Sequence, residues 1–228
     1  MSVIIPAYNG ERYILDAIRS VNRQRGVVTE LIIVDDGSTD ATAEVAKSGH
    51  PTRYIYQKNG GSASAMNTGI EQSAGRFLAF LDQDDVWTDD KLAVQLAEFE
   101  RIPDVDLVQS WLTQFVSPEL DPESRAQFPG DGVTAPGPIP GNTLIRREAF
   151  NRVGPFSTNL TVGYFADWMF RAQEAKLTML MLEDVLLRRR LHPTNQGVTK
   201  HSSRVEYVRV AKAALDRRRG GTSSTSDD

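Results

Sequence analysis

The chain has no cysteine, which excludes disulfides, thiol nucleophiles and cysteine metal sites together. It has no surplus of positive charge. Twenty-six Lys and Arg stand against 30 Asp and Glu, a net −4, so no bulk basic field marks a nucleic acid as partner. It also lacks any apolar run of the roughly 18 to 20 residues that a transmembrane helix needs. The opening "MSVIIPAYNG" is apolar over too short a stretch for a signal peptide and lacks the basic segment that leads one. A cytoplasmic protein with no nucleic-acid partner is the expectation; peripheral contact with a membrane through surface charge is compatible with these absences. What is present is ordinary: 228 residues, 40% hydrophobic and 25% charged, enough for one large domain with a full core.

Short apolar runs at 2–8, 30–36, 52–57 and 76–82 read as buried strands. Between them lie helical patterns. Ile14, Ala17, Ile18 and Val21 form one apolar stripe, and "DGSTDATAEVAKSG" predicts a helix from about Thr39 to Ser48. Residues 62–75 suggest a third, and 88–102 a fourth, capped by Thr88 and ended by Pro103. This alternation predicts an α/β fold: a Rossmann-like, open, mostly parallel sheet with helices on both faces. Residues 117–141 are so rich in proline and glycine that they predict a long loop without regular structure, acting as a mobile lid. Helix and strand patterns resume at 146–154, 164–175 and 177–191, and a last helix is expected at 201–217. Residues 217–228 contain no apolar side chain and predict a disordered tail.

In an open α/β sheet, ligands bind beyond the carboxyl ends of the strands. Those ends carry Tyr8, then Asp35 and Asp36, then Gly60 and Gly61, then Asp82, Asp84 and Asp85. Helix capping with Ser38 and Thr39 accounts for Asp36. It does not account for the acids at 82–85, because Thr88 offers the cap and Asp89 and Asp90 already favour the helix dipole. Three close carboxylates repel one another unless something cationic sits among them. A hard ion, Mn²⁺ or Mg²⁺, relieves that repulsion, keeps water and bridges to a phosphate ligand.

Taken in order, "SVIIPAYNGERYILDAIRSV", "ELIIVDDGSTDAT", "NGGSASAMNTGIEQSAGRFLAFLDQDDVW" and "ADWMFRA" resemble the inverting glycosyltransferases of family 2, which have a GT-A fold. The resemblance implies a metal-dependent transferase that moves a sugar from a nucleotide-sugar donor, a UDP-sugar foremost, to an acceptor hydroxyl. A glycan, a lipid-linked sugar, a peptide or a small molecule all fit as acceptor. It implies one domain over 1–200, with a nucleotide-sugar half at 1–103 and an acceptor half at 104–200. Pro6, Ala7, Tyr8 and Asp36 would then hold the nucleobase, and Gly61 and Asn67 would line the donor site. Asp82, Gln83 and Asp84 would form a variant DxD motif, with Asp84, Asp85 and His192 at the metal. Asp167 would be the general base for the acceptor hydroxyl; the competing reading is an i,i+4 salt bridge to Arg171.

Two positions depart from the family pattern: Met66 stands where relatives commonly have Arg, and Ala166 where a Glu usually precedes the Asp. Phosphate contacts then fall to Arg188, Arg189 or Arg190, or to the 117–141 segment. The arginines alternate faces on a strand, and a solvated basic edge strand is their competing reading. Two other functions are weaker. A sugar nucleotidyltransferase calls for a Gly-rich basic loop after the first strand, where "PAYNGERY" has one Gly and Arg12. A catalytically inactive nucleotide-sugar binding module fits Met66 and Ala166 but not the retained Asp82, Asp84 and Asp167.

Overall fold

β1 (Ser2–Ala7) is apolar on both faces and buried along its whole length, as a central parallel strand must be. β2 (Glu30–Asp35) and β3 (Arg53–Tyr56) lie to one side of it and β4 (Phe77–Phe80) to the other, all parallel. Strand side chains alternate between two cores. Val3, Ile5 and Ala7 meet Ile14, Ala17, Ile18 and Val21 of α1 (Ile14–Asn22) on one face. Ile4, Ile32 and Val34 meet Ala63, Met66 and Ile70 of α3 (Ser62–Glu71) on the other. The computed structural model describes residues 1–195 and 203–222.

The sheet continues without a break into the second half. β5 (Val86–Trp87), β6 (Leu107–Val116), β7 (Thr134–Pro136), β8 (Thr143–Arg146) and β9 (Met179–Leu191) complete it. The order is β3-β2-β1-β4-β8-β6-β9-β5, with β7 alongside β6. β8 runs antiparallel to β4 and β6, and β9 runs parallel to β6. α4 (Lys91–Arg101), α6 (Arg147–Val153) and α7 (Tyr164–Glu174) pack around these strands, and α8 (Ser203–Thr222) packs on α7. Phe165, Trp168, Met169 and Ala172 of α7 enter the second core, as their spacing predicts. Among the described residues no helix is long and apolar enough to cross a membrane.

Several expectations are corrected. α2 (Thr42–Ser48) begins three residues late, because Asn9 and Glu11 take the N–H groups of Thr39 and Ala41. Thr88 caps nothing: α4 starts after Asp90, and the Thr88 hydroxyl is buried without a partner. The 117–141 segment carries regular structure after all. Pro122 opens the short α5 (Pro122–Ala126), where its missing N–H costs nothing, and Asp121 caps it. Pro136 ends β7 at a sheet margin, where proline is tolerated. β9 is no edge strand, since β6 and β5 flank it. Residues 217–222, read as tail, continue α8; arginine sustains a helix, and Arg217 pairs with Glu174 of α7. Residues 223–228 and the expected boundary at 200 lie outside the described residues.

Candidate active site

The site begins where β1 and β4 part. Their last link is the Leu81 N–H donating to the Ile4 carbonyl at 3.1 Å. Two residues on, Pro6 points the same way and has no N–H to offer, so the ladder stops and a crevice opens at the carboxyl ends of the strands. Gln83 spans that crevice: its Nε2 donates to the Tyr8 carbonyl at 3.0 Å and its Oε1 accepts the Tyr8 N–H at 2.9 Å. Gly10 makes room for this amide, since a Cβ there would lie 2.1 Å from Gln83 Oε1. Tyr8 itself is 47% exposed and free to present its ring. Pro6 and Ala7 are buried and contribute backbone.

At the end of β2, Asp35 is turned inward, accepting the Ser38 N–H and the Tyr54 hydroxyl. Asp36 is also buried, and it does not cap the helix it precedes. Its carboxylate accepts Gln57 Nε2 (2.7 Å), the Gly60 N–H (2.8 Å) and the Gly61 N–H (2.7 Å). Gly61 sits at φ +86° at the start of α3, a backbone that glycine adopts readily. Asp36 thus holds the mouth of α3, and three of a carboxylate's roughly four acceptor positions are used.

The acids after β4 do repel one another. Burial and then the charge of Asp84 push the Asp82 carboxyl up to about 6. Asp85 is raised well above the usual range by burial, then by Asp84 and Asp82. Arg189, half-buried, partly offsets both. The three carboxylates do not converge. Asp85 faces inward and accepts the Arg190 N–H at 2.8 Å. Asp84 faces His192, with Oδ2 2.9 Å from Nε2, and also accepts Asn195 Nδ2 at 3.1 Å. Thr194 Oγ1 lies 2.8 Å from His192 Nδ1, and the His192 N–H donates to Asn195 Oδ1 at 2.7 Å. His192 and Asn195 thus close a tight turn that aims both side chains at Asp84.

Among the described residues no three His, Asp or Glu side chains are arranged around one ion. Of the expected ligand set, Asp84 and His192 stand together, while Asp85 braces the Arg190 backbone. That pair still fits a divalent cation. One carboxylate oxygen and one imidazole nitrogen stand 2.9 Å apart, the imidazole buried and the carboxylate partly exposed, and a hard ion fills its remaining places with water and phosphate oxygens. A carboxylate–imidazole pair suits Mn²⁺ better than Mg²⁺.

Other expected residues lie elsewhere. Both polar atoms of the Asn67 amide pair with the Phe156 backbone, at 2.9 and 3.0 Å, so Asn67 ties α3 to the segment before α7. Met66 is fully buried in the second core. Arg188 lies exposed over Phe115. Arg190 is buried between the Tyr13 and Phe115 rings and donates to the Asp84 carbonyl and to Asp16. Asp167, 8% exposed, forms the salt bridge that its spacing offers, with Arg171 Nε 2.9 Å from Oδ2. Arg217 of α8 approaches Oδ1 at 3.6 Å. Thr194 and Asn195 were not singled out by sequence. The Asn three places after His192 in "HPTN" was their one signal, and it reads equally well as a plain turn.

Comparison with known proteins agrees with the fold. A profile described as Glycosyl transferase family 2 matches residues 2–154. An uncharacterized glycosyltransferase of Rickettsia typhi is 29% identical over 223 residues, covering 91% of this chain and 69% of that protein. The putative teichuronic acid biosynthesis glycosyltransferase TuaG of Bacillus subtilis is 44% identical over 101 residues, 42% of this chain and 40% of its own length. A Rickettsia felis relative matches at 43% identity over 44% of this chain but only 17% of its own length, so the chain spans a fraction of some relatives. Among solved structures, S. aureus TarS 1-349 in complex with UDP-GlcNAc superposes with a TM-score of 0.76 at 20% identity, covering 93% of this chain and 64% of that one. Glucosyl-3-phosphoglycerate synthase from Mycobacterium tuberculosis, with Mn²⁺, UDP and phosphoglyceric acid, gives 0.68 at 18% identity, covering 93% and 77%. At these identities the structural likeness establishes the fold.

Proposed function

Because the chain belongs to glycosyl transferase family 2, we propose that it moves a sugar from a nucleotide-sugar donor to an acceptor hydroxyl in one inverting displacement assisted by a divalent cation. UDP is the favoured nucleotide, supported by the UDP complexes among its structural neighbours. One observation carries the reading. Asp84 and His192 stand paired at the open end of the sheet, beside two acids whose proton affinity burial and repulsion have raised.

In this reading each group has a physical task. Tyr8 offers its exposed ring to the base, and Asp36 accepts an imide N–H with its one unused position. Asp82 lies toward the ribose. Asp84 and His192 hold the cation, which when bound neutralises charge on the leaving diphosphate. Arg189 adds a fixed positive charge beside that cluster. Asp167 takes the acceptor proton through Oδ1, which Arg171 does not bond and which Arg217 approaches at 3.6 Å.

A second reading, a binding module without turnover, is favoured by one feature: Asp167 is enclosed by Arg171 and Arg217. Incubation with a panel of UDP-sugars and Mn²⁺, with UDP release and thermal shift followed together, separates the two. Release supports the transferase. A stabilised protein without release selects the binding module, and neither response to any member of the panel sinks both as UDP-sugar readings.

A further inference from the structure

We infer that Tyr13 is a positioning residue that couples the 117–141 segment to His192. This rests on the reading of Asp84 and His192 as the cation pair. The imidazole edge is held by Thr194, Asn195 and Asp84. Its face is held by Tyr13, whose ring packs at 4.7 Å between centroids, tilted by 44°. The Arg190 guanidinium lies 4.6 Å from the Tyr13 ring centroid, so the ring is wedged between two groups of the site. An imidazole binds metal along its ring plane, and the groups that fix that plane tune the affinity.

The other end of Tyr13 reaches the 117–141 segment. Its hydroxyl donates to Glu119 Oε1 at 2.5 Å, and the Ser117 hydroxyl lies 2.8 and 2.7 Å from the two oxygens of the same carboxylate. The Ser117 N–H donates to the Leu191 carbonyl at 3.0 Å, so the segment leaves β6 directly beside the residue preceding His192. Three residues past Glu119 begins α5, which buries no side chain. The Tyr13–Glu119 bond is thus one point where an outward-lying segment touches the wall of the site. Nucleotide on the site and segment position are linked in part through this phenol, beside the Ser117 contacts to Leu191 and Arg190.

The test uses the full chain and two readouts besides activity: Mn²⁺ binding in the presence of UDP, from the electron paramagnetic resonance of free Mn²⁺, and limited proteolysis within 120–136. Tyr13→Leu removes ring and hydroxyl and is expected to weaken Mn²⁺ by about 10- to 100-fold, the usual cost of losing a group that orients a metal ligand. Tyr13→Phe and Glu119→Gln keep the ring. They are expected to leave Mn²⁺ affinity near that of the unaltered chain while abolishing the protection that Mn²⁺ and UDP give the segment. A folded Tyr13→Leu that binds Mn²⁺ normally overturns the positioning role. If Tyr13→Leu does not fold, unaltered ligand-dependent protection in the other two variants overturns the coupling. An unaltered chain that binds no Mn²⁺ with UDP overturns the cation reading and this inference with it, an outcome distinct from normal binding in both parent and variants.

Discussion

Asp84 and Asp167 are both aspartates that the sequence selects for chemistry, and their surroundings are opposite. The Asp84 carboxylate meets an imidazole and an amide, with two further acids nearby raising the local demand for positive charge. Asp167 meets two guanidiniums and almost no water. In the proposed reading the first receives an external cation; the second carries its cations with it. The difference separates like charges left to repel one another from a charge already paired. A carboxylate whose partner lies four residues on, as Arg171 does for Asp167, can be satisfied by its own helix.

The largest effect that could break this contrast is at Asp167. If it takes the acceptor proton despite its arginines, Asp167→Asn lowers turnover by about 10² to 10⁴ and leaves UDP affinity intact. Turnover near normal would make the two aspartates as different in role as in environment. At Asp84, replacement by Ala should remove about 10- to 100-fold of UDP affinity in Mn²⁺, and calorimetry in excess EDTA should show the same loss in the unaltered chain. Equal binding with and without EDTA would refute the cation site.

Asp36 sharpens the comparison from a third side. Asp36→Ala leaves the Gly60 and Gly61 N–H groups without their acceptor, which should cost about 1 to 3 kcal/mol in urea denaturation. A base contact shows as a further drop in UDP affinity once stability is accounted for. The smallest effect is expected from Arg217→Ala. Its two ion pairs are partly exposed, so stability should fall by less than about 1 kcal/mol. Turnover should hold or rise as Oδ1 of Asp167 is uncovered; a collapse of turnover would mean that α8 helps build the site.

Family, sheet class and the strand-end carboxylates were fixed by local pattern. Continuous apolar runs such as "VIIPA" and "LIIV" can be satisfied only with both faces covered, and the acids that follow them must sit at the strand ends. Tertiary structure decided the rest, because it depends on partners distant in sequence. His192 meets Asp84 across 108 residues, and Arg190 meets Asp16 across 174. Asp36 caps a helix 25 residues on, and Asn67 binds the backbone 89 residues away. The direction in which a side chain turns is set by those distant neighbours. So the chain alone named Asp82, Asp84 and Asp85 as a group, and only the packing of β9 against β5 and β6 turned Asp85 inward and left Asp84 facing the imidazole.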